Sequence, residues 1–566
     1  MVDAAPAGIP GWMALLAIVA MLLPPLLAGL DLTAPAVGME KLCLASSQET
    51  WLLGAKGGEP AWLIPSLYGR PRVHKPPLTT WGNLLAWRDL DPATAAPESI
   101  VLRSRLAAVA AGLMLLLGTY WIGRLLANPR FAVVATLVTS TQFLFIRQAR
   151  TATYDIQLAA WVTLSVAAGL WAIRLTQERR RGRWAGWALS GLCLGGAVLT
   201  KGPLAYAWVF APLGLFLLTN PESRARVIAG LGAVLLVGTL LAAPWYIYVL
   251  GHVPLAAQRL LHEYAAEHYK ATPPWYYVQL LVLALPWTLW LVRGLAEPFG
   301  RPASGKSREL LFLCCWFGLA VLVLSIPDLK APRYLAPLLP VAGLIAAHAL
   351  LNLPEEGGKW IEPAHWRLLL FVSLALPLYL SAEGLLVKRG ILKDILCHGL
   401  SPSMVVLCGL WPLAVLALAW ACRRRYPGRL VCVVATALWV AGLATAGNAL
   451  YDRRPAALAR HRPAAERIAL TVGNDRLFYV WEQPGTDTPP GVELLFYLRR
   501  VAYHADFETL QAEAAGGKRF YVITRGARDR DQVLQKMGLE RAMDFSDDRS
   551  GFRRLYRAGH HPGKGS

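Results

Sequence analysis

Acidic residues are scarce. The 566-residue chain holds 36 Asp and Glu against 57 Lys and Arg, and charged residues of either sign make up only 16% of it. So little charge excludes an ordinary soluble enzyme of this length. The surplus of +21 invites a nucleic-acid reading. Against it, a basic footprint must face solvent, and the arginines here cluster in short loops between apolar runs. Cysteine is thin as well. The eight present show no metal-ligand spacing, which excludes a Cys-ligated zinc centre. Cys314 and Cys315 read as packing residues, and Cys43 with Cys397 is the one pair placed for a disulfide. No glycine-rich phosphate loop is present, so no nucleotide cofactor is expected. No internal repeat pairs two halves, which argues against a transporter of the inverted-repeat kind.

What is abundant is apolar sequence: 55% hydrophobic residues and a mean hydropathy of +0.40. A helix crosses a bilayer with about 20 apolar residues. Such runs occur at 10–30, 103–123, 131–147, 154–174, 184–200, 203–219, 227–250, 275–292, 309–326, 333–352, 367–386, 403–421 and 430–449. The first lacks a following small-residue cleavage site and reads as a membrane helix. About thirteen transmembrane helices are therefore expected in a domain spanning 1–450. Alternating them puts Arg124 and Arg130, Arg179 to Arg183, Arg224 and Arg226, Arg293 to Arg308 and Arg423 to Arg425 on one side, which the positive-inside rule makes cytoplasmic.

The unusual polar motifs fall on the other side. Residues 31–102 form a loop too long for a connector. In it WLIPSLYGR and PPLTTWGNLLAW read as short interfacial helices. Residues 451–566 change composition: RLFYVWEQ and RFYVITRG read as strands, VELLFYLRR and DRDQVLQKMG as helices. The tail is thus expected to be a small soluble α/β domain.

Several side chains in these outer segments carry chemistry. Lys75 in HKPPL, Lys201 in LTKGPL and Lys330 in SIPDLKAPRY repeat a lysine beside proline, and Arg333 with Tyr334 follows the last. Each alone reads as a lysine reaching the interface. Three on one face fit a phosphate-sugar site, with Gly202 and Pro203 breaking the helix beside Lys201. Asp155 opens a membrane helix with Arg147 and Arg150 near enough to hold it ionised. Dipole pairing is the bland account, function the default for an ionisable group at that depth. His74 and His268, the latter with Glu263 and Glu267 nearby, are the candidate ligands for a divalent metal such as zinc, without any HExxH to support them.

HKPPLTTW, ARTATYDIQL, LTKGPL, PWYIYVLGHVP, EHY…PPWYY and SIPDLKAPRYLAPLLP, in this order, resemble the bacterial lipid A 4-amino-4-deoxy-L-arabinose transferases and the related protein mannosyltransferases. The resemblance covers about residues 10–350. It implies an all-α polytopic domain of the C-type glycosyltransferase fold with a periplasmic tail, seated in a bacterial inner membrane. The donor would be an undecaprenyl-phosphate-linked sugar, transferred with inversion on the periplasmic face. The acceptor would be a lipid or a protein, with membrane lipid as the surroundings and no nucleic acid as partner. Carried over, Lys75, Lys201, Arg333 and Tyr334 cradle the donor phosphate, Asp155 is the second acid of the site, and His74 and His268 stand where a zinc ion binds. The family's first loop opens on Asp-Glu, but this chain has Gln48 and Glu49. An amide takes no proton. Three readings follow: Glu49 has taken over as base; the acceptor is a phosphate, already anionic; or the chain binds sugar-lipid without turnover. Transfer to protein serine or threonine is the enzyme alternative.

Overall fold

The computed structural model describes residues 11–31, 38–55, 62–73, 75–175, 180–219, 224–262, 272–299, 308–327, 330–352, 360–388, 402–451, 461–480, 490–525, 528–547 and 551–558. They are mostly helical. The chain falls into two units, Met1–Leu32 with Arg105–Tyr248 and Leu261–Arg454, and Thr33–Ser104 with Val249–Leu260 and Pro455–Ser566.

Seven described helices are long and apolar enough to cross a bilayer, and Pro129–Ser140 with Phe143–Ala149, bent by 70°, makes up to eight. Trp12–Leu27, Leu204–Phe216 and Gly409–Cys422 are shorter apolar helices. The chain is a multi-pass membrane protein. Val227–His252 is only 28% buried, and Leu235, Leu236, Leu240 and Ile247 point outward, as a lipid-facing helix requires. Pro332–Asn352 is 89% buried and therefore central to the first unit.

Proline sets the irregularities. The segment expected as one helix over 275–292 is broken into a 3₁₀ turn at Pro274–Gln279, a short helix at Leu280–Leu283 and a longer one at Thr288–Ala296. Pro273, Pro274 and Pro286 cannot donate to a helical ladder. Pro332–Leu338 is 3₁₀ for the same reason, with Pro332 at its start and Pro337 inside. Pro24 and Pro25 lie within the first helix, Gly11–Leu27. The Pro25 carbonyl accepts from Arg150 Nη1 at 3.1 Å and from Asn448 Nδ2 at 2.7 Å, and Leu26 O accepts from Arg150 Nη1 at 2.8 Å.

The second unit holds all the described strands: β1 (Ser66–Leu67), β2 (Arg70–Pro71), β3 (Arg476–Val480), β4 (Ala502–Ala505), β5 (Phe520–Arg525), β6 (Leu539–Asp547) and β7 (Gly551–Ala558). Its larger sheet runs β4-β3-β5-β7-β6. β3 is parallel to β4 and β5, and β7 is antiparallel to β5 and β6. Leu477, Phe478, Tyr479 and Val480 are all buried, as expected of a strand covered on both faces. Helices Val492–Leu498, Phe507–Ala515 and Arg528–Lys536 connect the strands, and Asp506 Oδ1 caps the second by accepting from Thr509 N at 2.8 Å.

WLIPSLYGR is not a helix. Ser66 pairs with Pro71 and Leu67 with Arg70, so this stretch is the β1–β2 hairpin. Tyr68 and Gly69 both take positive φ, 59° and 69°, the two-residue turn that matches strand twist. PPLTTWGNLLAW does contain a helix, Leu78–Ala86. Its Trp87 is buried and donates to Ser104 Oγ at 3.0 Å.

Candidate functional site

In the membrane unit, helices Tyr154–Arg174 and Arg180–Lys201 pack closely. Ser165 Oγ donates to Ser190 O and Ser190 Oγ to Ser165 O, both at 2.8 Å. A methyl on Gly196 would stand 2.9 Å from the Trp161 ring. This antiparallel pairing brings the first turn of one helix, with Asp155, to the last turn of the other, with Lys201. Gly202 at φ 95° then ends the helix.

Asp155 is 2% exposed and forms an ion pair with Lys201. Its other oxygen lies 3.5 Å from Arg333 Nε. Lys201 Nζ stands 4.3 Å over the Tyr334 ring, and Arg333 Cζ lies 5.0 Å from the same ring. The pairing differs from the sequence expectation: Lys201 and Arg333 hold Asp155, while Arg150 serves the Pro25 and Leu26 carbonyls. The end of the first helix explains this: Pro25 and Leu26 lie in the last turn of Gly11–Leu27, where carbonyls lack an intrahelical partner and need a donor. Asp155, Lys201, Arg333 and Tyr334 thus form one cluster. Arg333 Nε is buried and makes no hydrogen bond among the described residues. Lys330 Nζ donates to Thr272 O at 3.1 Å and Pro327 O at 2.7 Å, which braces the segment before Arg333. Two cations against one buried carboxylate leave an excess of positive charge, suited to an anionic ligand.

Of the remaining candidates, Glu49, Gln48, Lys75 and Cys43 belong to the second unit. Glu49 lies on the helix Gly38–Ala55 and is 4% exposed. Its Oε2 accepts from Tyr68 N at 2.9 Å and its Oε1 from Gly69 N at 2.8 Å. Burial raises its pKa to about 7 against the pull of these two amides. Gln48, also buried, donates Nε2–H to Pro92 O at 3.0 Å. Lys75 is half-buried, just beyond the hairpin. Cys43 is buried and receives an N–H from Asn83 at 3.6 Å. His74, His268 and Cys397 lie outside the described residues. Among the described residues no three His, Cys, Asp or Glu gather as metal ligands.

The hairpin partners were missed from sequence. Tyr68 Oη donates to Pro490 O at 2.7 Å, Arg70 Nη2 to His504 Nδ1 at 2.7 Å, and the Tyr68 and Tyr479 rings lie 5.2 Å apart. The available signal was a Tyr-Gly pair set between Pro65 and Pro71, which suits a turn better than a helix.

The profile of the family described as dolichyl-phosphate-mannose-protein mannosyltransferase matches residues 92–254. The undecaprenyl phosphate-alpha-4-amino-4-deoxy-L-arabinose arabinosyl transferase of Pseudomonas aeruginosa (strain UCBPP-PA14) is 30% identical over 316 residues, 54% of this chain and 54% of that protein. Arabinosyl transferase 2 of the same description from Proteus mirabilis is 27% identical over 301 residues, 51% of this chain and 52% of that protein. The chain therefore spans about half the length of the curated relatives it matches. ArnT from Cupriavidus metallidurans bound to undecaprenyl phosphate superposes with a TM-score of 0.71 at 18% identity, covering 98% of this chain and 99% of that one. The archaeal oligosaccharyltransferase AglB from Archaeoglobus fulgidus gives 0.53 at 12% identity over 91% of this chain and 69% of that one. By sequence over about half its length the chain is similar to the bacterial aminoarabinose transferases, and by fold over nearly its whole length it resembles ArnT.

Proposed function

We propose that the protein moves a sugar from an undecaprenyl-phosphate carrier to a phosphate-bearing lipid of the lipid A class. The sugar is a pentose of the aminoarabinose kind, in keeping with the names of the relatives. The reaction takes place at the periplasmic face of the inner membrane, in a chain of about thirteen spans with a periplasmic α/β tail. The observation that carries the proposal is the Asp155–Lys201–Arg333–Tyr334 cluster.

In the transfer, the bond from the anomeric carbon to the carrier phosphate breaks and its electron pair stays on phosphate. A bond from an acceptor oxygen to the same carbon forms. The enzyme's task is to stabilise the charge collecting on the leaving phosphate. Fixed cations at a low-dielectric edge do so without reorganising. Lys201 and Arg333 supply them, and Asp155 holds both in place. Arg333, whose Nε faces Asp155 at 3.5 Å, offers the positive charge of its guanidinium to a phosphate oxygen. Lys75 is proposed as a further holder of the carrier phosphate on the resemblance alone.

The acceptor is argued from what can serve as a base. Gln48 is an amide, and both Glu49 oxygens accept from backbone N–H groups. A phosphate acceptor brings its own anionic oxygen and needs no base. A hydroxyl acceptor on protein is the second reading, favoured by a Glu49 pKa near neutrality. A zinc ion at His74 and His268 is proposed on the resemblance alone, and no step is assigned to it.

The test is transfer by purified protein in lipid, with radiolabelled undecaprenyl-phosphate pentose and hexose donors and lipid A as acceptor. Lys201→Ala and Arg333→Ala are each expected to lower turnover by about 10²–10³-fold. Turnover unchanged in both variants would sink the proposal. Zinc content of the same preparation, with and without His74→Ala, tests the metal.

A further inference from the structure

The hairpin at 66–71 is held from two sides within the second unit. From one side comes Glu49, whose carboxylate takes both amides of the turn, Tyr68 N at 2.9 Å and Gly69 N at 2.8 Å. Thr50 Oγ1 beside it accepts from Ser66 N at 3.1 Å. From the other side come residues of the tail. Pro490 O accepts from Tyr68 Oη, His504 Nδ1 accepts from Arg70, and His504 N reaches Tyr68 O at 3.4 Å. A methyl on Gly69 would stand 2.5 Å from the Tyr503 ring, so the turn sits directly against β4.

The turn itself is costly to form. Tyr68 is a non-glycine residue in the left-handed region, worth about 1–2 kcal/mol of strain. A carboxylate accepting two adjacent amides is a strong stabiliser of such a turn. The chain then leaves the hairpin with no slack. Arg72 N donates to Pro65 O at 2.6 Å, and Val73 is fully buried. Two residues later stands Lys75.

We propose that Glu49 is a positioning residue, clamping the left-handed Tyr68–Gly69 turn against β4 of the tail and so fixing where Lys75 presents its ammonium. The inference rests on the reading that Lys75 holds the carrier phosphate. It gives the tail a role in donor binding, since Pro490, Tyr503 and His504 form the far side of the clamp. Glu49→Gln keeps one acceptor oxygen but sets an NH₂ group against a backbone N–H, which opens the clamp without changing its volume.

The test is binding of undecaprenyl phosphate to the full-length protein in phosphatidylglycerol-containing nanodiscs. Lys75→Ala, Glu49→Gln, His504→Ala and the double variant Lys75→Ala with Glu49→Gln are compared. Expected are a loss of about 10-fold for Glu49→Gln, a smaller loss for His504→Ala, and a double variant no weaker than Lys75→Ala alone, because both changes remove the same contact. Additive losses would overturn the inference, for they would mean that Glu49 supports the fold generally. Unchanged binding in Glu49→Gln with turnover abolished would overturn it in favour of a base. Unchanged binding in Lys75→Ala would remove the underlying reading, and the inference with it. Where Glu49→Gln fails to fold, His504→Ala on the other side of the clamp carries the same test: wild-type binding there overturns the inference.

Discussion

Asp155 and Glu49 are both buried acids, but they have different partners. Asp155 lies between two cations, while Glu49 has backbone amides and, among the described residues, no cation bonded to it. Burial therefore dominates at Glu49 and lifts its pKa from 4.5 to about 7. Between those values the folded chain keeps a proton that the unfolded chain has released. Stability contributed by this group consequently falls as pH rises through the window. Above pH 7 the penalty levels off at about 3 kcal/mol. The expected result is an apparent unfolding temperature that drops more between pH 5 and pH 8 in the wild type than in Glu49→Gln. Parallel pH profiles would contradict it. The members of the Asp155 cluster were legible in the sequence, Lys201 and Arg333 beside helix breakers and Asp155 as an ionisable group opening a membrane helix, but their pairing was not. The Glu49 clamp was not, because its partners are main-chain amides, and no residue type advertises those.

Elements were legible where one period ran uninterrupted. Tyr154–Arg174 and Val227–His252 are continuous apolar runs, and both fold as read. The segment at 275–292 has the same composition, but its prolines cut it into three pieces. WLIPSLYGR misled for a different reason: its tryptophan and leucines fit an interfacial helix, while backbone conformation at Tyr68 and Gly69 decided for a hairpin. The element that matters most for the site is the central Pro332–Asn352 segment, which carries Arg333 and Tyr334. Its helix Leu339–Asn352 packs tightly on Pro129–Ser140 at Gly343. A methyl there would lie 2.0 Å from Thr139 Oγ1 and 3.1 Å from Ala135 O. Gly343→Ala is expected to destabilise the membrane unit by about 1–3 kcal/mol. Thermal unfolding in detergent should show this as a lowered transition, partly recovered by adding Thr139→Ala. A variant as stable as the wild type would mean the two helices can separate freely.

At the scale of the whole molecule, the expected orientation rests on charge asymmetry between the loops. A cysteine replacing Arg181 is expected to react with an impermeant thiol reagent only after the membrane is opened, and one replacing Lys518 to react in intact spheroplasts. Labelling in the reverse pattern would place the tail in the cytoplasm. How each unit closes follows from residues far apart in the chain. Pro25 O takes an N–H from Asn448, 423 positions later, and Tyr68 Oη reaches Pro490 O, 422 positions later. Lys41 likewise pairs with Glu493. In both units an earlier segment is completed by one more than 400 positions later. A nascent chain arrested before about residue 450 would hold a first helix with its proline carbonyl short of a donor and a first loop without its sheet. During synthesis both must wait, and that interval is when quality-control proteases have their opening.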